Sequence, residues 1–353
     1  MNQLMDKANF YDLVKSVPKA ELHVHEEAVL SRSTLKTVFS RGTGAPMSDE
    51  ELSSLFAYTG LEGFLTSFIK IQSYFTKIED LTLLFDDFGS YLEENNIVYA
   101  ETFFSPTSHL KKGWDYGQMM ALVQRGVDKI EHTSGRVVKV LVDVSRSFGT
   151  QNAMRNLDLV LQTKTPCVIG IGLGGDEKKG SAREYKDVFC RAKAEGFHTV
   201  LHAGETGGTD SIRDAIELCF AERIGHGIAS AWDSNCLEYL ARKRIPLEVC
   251  PTSNVFLLPQ LEGDMKRHPV KKLYDAGVFI TLATDDPTFF KASLLDEYWN
   301  LYSVLGFSLC DIKRIVENGF TASFLPESQK CTLLQKLDDA WHQWFSSRGI
   351  AAP

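Results

Sequence analysis

Several features are missing from this chain of 353 residues, and each gap removes a class of function. No apolar run reaches the roughly 18 residues that a membrane-crossing helix needs. No C-x-x-C pair occurs among the seven cysteines, which lie scattered at 167, 190, 219, 236, 250, 310 and 331. An odd number without paired spacing speaks for reduced thiols and against a disulfide framework. Runs of lysine and arginine are also lacking, and the formal net charge is −8, so the surface as a whole repels nucleic acid and anionic lipid. There is no internal repeat, no low-complexity tract and no linker rich in Pro, Gly or Ser. The opening segment MNQLMDKANFYDLVKSVPKAEL lacks the charged-then-apolar layout of a signal peptide. The expectation is a soluble cytoplasmic protein with one domain over residues 1–353, meeting small molecules and water rather than nucleic acid or a membrane.

What is present alternates. Eight short β-branched or aromatic runs recur at 20–25, 97–104, 137–144, 167–173, 198–202, 223–226, 246–250 and 278–284. Stretches of helical period such as 114–132, 181–195, 208–220 and 231–243 separate them. Strands alternating with helices pair in parallel, because a parallel neighbour needs a long crossover. Eight such units predict an α/β fold of the (β/α)8 TIM-barrel type rather than an open sheet. Two helical additions interrupt the rhythm: residues 40–95 after the first strand, and a C-terminal tail over 291–347 broken at SFLPES.

Polar residues gather where the strands end. The first strand ends in His23 and His25, the fifth in His202 followed by AGE, the sixth in RIGHG with His226, and the eighth in TDDP with Asp285 and Asp286. Strand side chains alternate, so His23 and His25 share a face while Val24 points the other way. In a barrel the C-terminal strand ends line the active face. Three histidines and one aspartate from different strands suit a catalytic zinc, which favours imidazole and carboxylate and keeps one position open. Three other motifs compete. Gly170, Gly172 and Gly175 spell G-x-G-x-x-G, but no acidic residue ends the next strand to hold a ribose. His25-Glu26-Glu27 matches the H-x-E of cytidine-deaminase-type zinc enzymes, without the P-C-x-x-C they require. A two-metal hydrolase would need a bridging ligand near the end of the fourth strand, where Asp176 and Lys178 lie.

The distributed motifs PKAELHVH (18–25), YAETFFSP (99–106), GIGLGGDE (170–177), HAGETGG (202–208), ERIGHG (222–227), EVCPTSN (248–254), HPVKKLYDAGVFITLATDDP (268–287) and ASFLPESQK (322–330) resemble the adenosine deaminase family, in the family's order and over nearly the whole chain. The resemblance implies one Zn2+, held by His23, His25, His202 and Asp285, and hydrolytic removal of the exocyclic amine of a 6-aminopurine. It implies that Glu205 protonates ring nitrogen N1 and that His226 takes a proton from the attacking water or holds it electrostatically. Asp286 would bond N7, the backbone of Gly175 would approach N3, and Phe64, Leu65 and Phe68 would form an apolar lid.

The stretch after H-x-H departs from the family, which continues with an apolar residue, Asp and Gly where this chain has Glu26, Glu27 and Ala28. In adenosine deaminases that aspartate bonds the ribose 5′-hydroxyl, and in bacterial adenine deaminases a glutamate takes its place. Glu27 is therefore the expected specificity residue, while Glu26 is expected to point away from the pocket, to solvent or a basic partner. HAGETGG and RIGHG, by contrast, match the nucleoside branch. The expected activity is deamination of adenosine or an adenosine-like nucleoside. The alternatives are free adenine, a pterin-like compound, or a purine-binding barrel without turnover; deamination within nucleic acid conflicts with the acidic charge.

Overall fold

The computed structural model describes residues 5–353. Eight parallel strands run in sequence order around the sheet. They are β1 (Lys19–His25), β2 (Ile97–Phe104), β3 (Val137–Asp143), β4 (Val168–Leu173), β5 (His198–Ala203), β6 (Arg223–His226), β7 (Leu247–Val249) and β8 (Ile280–Leu282). Each coincides with a run expected from the sequence, and together they form the (β/α)8 barrel. Closure between β8 and β1 is made just past the end of β8, where Asp285 bridges Val24. The His25 amide donates to the Asp285 carbonyl at 2.9 Å, and the Asp285 amide to the His23 carbonyl at 3.1 Å. The seam that closes the barrel therefore also fixes three polar residues of the strand ends.

The strands carry Val, Ile and Leu because both of their faces are covered. Gly170 and Gly172, two members of the G-x-G-x-x-G pattern, are packing residues: a Cβ on Gly170 would lie 2.5 Å from the His198 carbonyl oxygen, and one on Gly172 would lie 2.5 Å from the Phe103 ring. The pattern is thus explained by close approach inside the barrel.

Between β1 and β2 run helices Arg32–Thr43, Asp49–Leu55, Gly60–Ser73 and Leu81–Glu94. Ser48 and Glu51 form a reciprocal cap that starts the second of these. The C-terminal addition comprises helices Leu294–Ser303, Leu309–Ala322 and Glu327–Ser346. Pro326 precedes the last one at the expected break, since proline cannot extend the helix before it. Helix Leu309–Ala322 lies so close to β1 that a Cβ on Gly319 would stand 3.0 Å from the Ala20 carbonyl oxygen. Leu13 and Val17 pack with Trp341, Trp344 and Phe345, which ties the first helix (Lys7–Ser16) to the last. No helix among the described residues is long and apolar enough to cross a membrane.

Candidate active site

The polar strand ends converge on one buried cluster. His25 Nε2 lies 3.3 Å from His202 Nε2 and 3.3 Å from Asp285 Oδ1, which is 3.4 Å from His23 Nε2. Donors around a tetrahedral zinc with bonds of about 2.0–2.1 Å stand about 3.3–3.4 Å apart, so these spacings are those of ligands around an ion. His23 Nε2 is buried without a hydrogen-bond partner. The donor set and the orphaned nitrogen both fit zinc. The cluster extends further than the four expected ligands. His23, His202, His226 and Asp285 hold donor atoms within 4.8 Å of one another, as do His25, Asp285 and Asp286.

The backbone is bent to achieve this. His226 has φ 62° and Asp285 φ 66°, a left-handed conformation that costs a residue other than glycine of order 1–3 kcal/mol. Such turns swing side chains from the strand ends across the barrel mouth. Gly175, at φ +91°, shares the conformation, and a Cβ there would meet Ser147 Oγ at 3.1 Å. It is more than a plain turn glycine, because it lines the cleft.

Beneath the cluster the barrel interior holds a charged chain that sequence reading missed. His23 Nδ1 is 2.7 Å from Glu248 Oε2, Arg223 Nε donates to Glu248 Oε1 at 2.5 Å, and Arg223 Nη2 donates to Glu101 Oε2 at 2.5 Å. All four residues are buried. A carboxylate on the far nitrogen orients a ligating histidine and raises its basicity. The signal was legible: Glu101 and Glu248 interrupt apolar strands and Arg223 opens one.

Glu205 is equally buried. Burial first, then the charges of Asp285 and Glu177, push its carboxyl up to about 8. Its loop is held by Glu177, whose carboxylate accepts the backbone N–H groups of Gly204 (2.8 Å), Glu205 (2.8 Å), Thr206 (3.0 Å) and Gly207 (3.1 Å) and the Ser211 hydroxyl. Asp176, beside it, merely accepts from the Lys178 amide, and neither Asp176 nor Lys178 joins the cluster. The basis for a bridging second-metal ligand is therefore lacking at the end of β4.

His226 Nε2 faces Glu205 Oε1 at 3.8 Å and Asp285 Oδ2 at 3.9 Å. Burial pushes its imidazole down to about 4. Burial would raise Asp285, yet hydrogen bonds from His23 and His25 hold it well below the usual carboxylate range. Asp286 moves oppositely: burial and then the charge of Asp285 lift it well above that range. Although Asp286 stands before helix Pro287–Phe290, its side chain makes no capping bond, and its Oδ1 is buried and unpartnered. That unpartnered oxygen is left for a bound group to satisfy.

The cleft above opens into about 680 Å3 of space, part of it bulk solvent. Phe64, Leu65 and Phe68 line it from helix Gly60–Ser73, as expected of a lid, with Leu61 and Ile69. Gln72 from the same helix was missed; it is buried, and its Oε1 has no partner. The opposite end is polar: Ser105, Ser108, Ser145, Ser147 and Asp143. Asp143 organises it by accepting from the Ser145 amide at 3.1 Å, the Gly174 amide at 2.7 Å and the Ser105 hydroxyl at 3.3 Å.

Glu27 is buried, and its Oε1 accepts from the Ser105 amide at 2.7 Å while Oε2 stays unpaired. Burial pushes it up to about 7 against the pull of that bond. Glu26 corrects an expectation. It does not face solvent or a basic partner but is fully buried, with neither oxygen hydrogen-bonded. Burial and the adjacent Glu27 raise its carboxyl well above the usual range. The short helix Glu26–Ala28 that follows β1 turns both glutamates inward, where an extended chain would alternate them.

Comparison with known proteins agrees with the geometry. The family model described as adenosine deaminase matches residues 18–340. The chain belongs to the adenosine deaminase family. Within this family it is 32% identical over 342 residues to an adenine deaminase of Cupriavidus taiwanensis, covering 96% of this chain and 97% of that one. It is 31% identical to an aminodeoxyfutalosine deaminase of Streptomyces coelicolor, over 96% of this chain and 88% of that one. The crystal structure of an adenine deaminase from Arthrobacter aurescens superposes with a TM-score of 0.86 at 26% identity, covering 92% of this chain and 98% of that one.

Proposed function

We propose that this protein is a zinc-dependent hydrolase that removes the 6-amino group of a purine carrying an uncharged, hydroxyl-bearing substituent on N9. The observation that carries the reading is the buried Glu205 carboxyl, 3.8 Å from His226 Nε2, at the edge of a His/Asp cluster with ligand spacing. His23, His25, His202 and Asp285 would hold the zinc. Bound there, zinc supplies Lewis acidity that brings the ionisation of a water near neutral pH.

The protein's own groups do the rest. Glu205, protonated at neutral pH, holds the proton that N1 must gain when C6 loses its aromatic bonding. Asp286, whose carboxyl burial and Asp285 raise above the usual range, would donate to N7 and so set the ring's orientation. His226 faces the same space from the end of the neighbouring strand, β6. Phe64, Leu65 and Phe68 cover the ring and exclude bulk water, which strengthens each of these contacts. The four serines that line the cleft, two of them bonded to Asp143, suit a sugar's hydroxyls. No lysine or arginine lines the cleft among the described residues, which disfavours a phosphate monoester.

Free adenine is the second reading. It is favoured by Glu27, which stands where the bacterial adenine deaminases carry glutamate, and by the relatives bearing that name.

The test is ammonia release by the zinc-loaded protein from adenine, adenosine, 5′-substituted adenosines and AMP, with Glu205→Gln as control. The expected result is turnover of uncharged nucleosides and loss of at least ~100-fold in the variant. Release from adenine alone establishes the second reading. Absence of release from every compound overturns both.

A further inference from the structure

Two buried side chains behind His226, Asn254 and His268, form a directed relay that starts at a backbone amide. Asn254 lies on helix Pro251–Leu257, which follows β7, the strand paired with β6, and His268 lies just before helix Val270–Asp275. The Val270 amide, at the start of the second helix, donates to His268 Nδ1 at 3.2 Å. Pro269 between them has no N–H of its own, so this is the first free donor of that helix. A backbone N–H can only donate. His268, buried and pushed down to about 3 by that burial, is neutral, so its single proton sits on Nε2.

His268 Nε2 lies 3.2 Å from Asn254 Oδ1. The amide is thereby oriented: its oxygen accepts from His268, and its nitrogen must face the other way. Asn254 Nδ2 is 3.1 Å from His226 Nδ1. An amide nitrogen donates, so His226 Nδ1 accepts and the proton of its neutral ring is on Nε2. That proton points into the cleft, towards the acceptors Glu205 Oε1 and Asp285 Oδ2.

We infer that Asn254 and His268 are positioning residues that lock His226 as an Nε2–H donor, so that His226 holds the attacking water by donating to it and does not take its proton. The resemblance left these two roles open. The relay chooses between them, because an Nε2 that already carries a proton has no lone pair to offer. What the donor acts upon rests on the deaminase reading above; the tautomer does not.

The decisive measurement is long-range 15N–1H NMR on the zinc-loaded protein labelled with 15N-histidine, the His226 signals being assigned by Asn254 and His226 variants. The expected result is a proton on Nε2 and none on Nδ1. A proton on Nδ1 in the wild-type protein overturns the inference whatever the enzyme's activity. Asn254→Asp is near-isosteric and replaces the donor with an acceptor. It should move the His226 proton to Nδ1 and lower kcat by about 100-fold or more with KM little changed, the size expected for losing one oriented donor. His268→Ala, which frees the amide to rotate, should yield a mixture of both tautomers and a smaller loss. Unchanged kcat in Asn254→Asp, with the tautomer shifted, would overturn the role assigned to the donor.

Discussion

Gly225 offers a sharp test of how the metal-type cluster is supported. It is the central glycine of RIGHG, and a Cβ built there would lie 2.6 Å from His23 Cε1, 3.2 Å from His23 Nδ1 and 3.3 Å from the His202 Cα. Non-bonded carbons prefer about 3.5–4.0 Å, so Gly225→Ala requires the His23 ring to withdraw by about 1 Å. Retreat is obstructed. Phe103, His202 and His226 surround the ring with centroids at 5.0, 4.5 and 5.0 Å, and Nδ1 is anchored to Glu248 at 2.7 Å. Overpacking of this kind costs about 1–3 kcal/mol of stability. A displacement of about 1 Å in a reacting constellation costs ~100-fold in rate, and a disturbed second shell costs about 10–100-fold in metal affinity. The assay is kcat/KM for ammonia release beside zinc affinity by competition with a chelator and stability by urea unfolding. Gly126→Ala is the control. Its Cβ would meet the Phe85 ring at 2.3 Å, between two outer helices, so it should lose stability to a similar or greater extent while keeping zinc affinity and rate within about threefold. Wild-type kinetics and affinity in Gly225→Ala, or an equal loss in Gly126→Ala, would refute the reasoning.

Four further outcomes follow from the structure. Arg223→Leu strands the buried carboxylates of Glu101 and Glu248, and urea unfolding should show a loss of about 3–5 kcal/mol. The kcat/KM profile should fall on its alkaline side as pH rises past about 8, because Glu205 must be protonated; Glu205→Gln should abolish that limb. Glu297 is buried with Oε2 unpaired, and burial raises it to about 8. The folded form thus keeps a proton that the unfolded chain releases above about 4.5, so stability declines between the two values, by about 1.4 kcal/mol per pH unit at most. Glu297→Gln should be the more stable protein at pH 8 and show a decline shallower by this one group's share, by thermal melts across that range. Removing metal with a chelator should lower the melting temperature, and zinc should restore it; at a thousandfold excess over Kd the stabilisation is about 4 kcal/mol, and in a His23→Ala variant it should largely vanish.

Much of this architecture was legible in one dimension because it depends on local pattern. Eight runs of β-branched residues with helical period between them specify eight parallel strands, and the helical insertions before β2 and after β8 announce themselves by length. The ligand-type residues were found because imidazoles and carboxylates at apolar strand ends are costly to place without a purpose. Glu26 was misjudged because a turn of 3-10 helix after β1 replaces the alternation that the strand had set up. Gln72, Glu177 and Asn254 escaped notice for a different reason. Each is an ordinary polar residue in a loop or helix, and nothing nearby in the chain shows what it touches.

The sequence by itself therefore determined the barrel, the residue types at its mouth and the family to which they point. Only the tertiary structure decided which donors stand 3.3–3.4 Å apart, which carboxyls are neutral and which way the His226 proton faces. Periodicity is set by neighbours a few residues away, whereas protonation and tautomer are set by whatever is brought near in space. For His226 the determining partners are 28 residues away, at Asn254, and a further 14 beyond it, at His268.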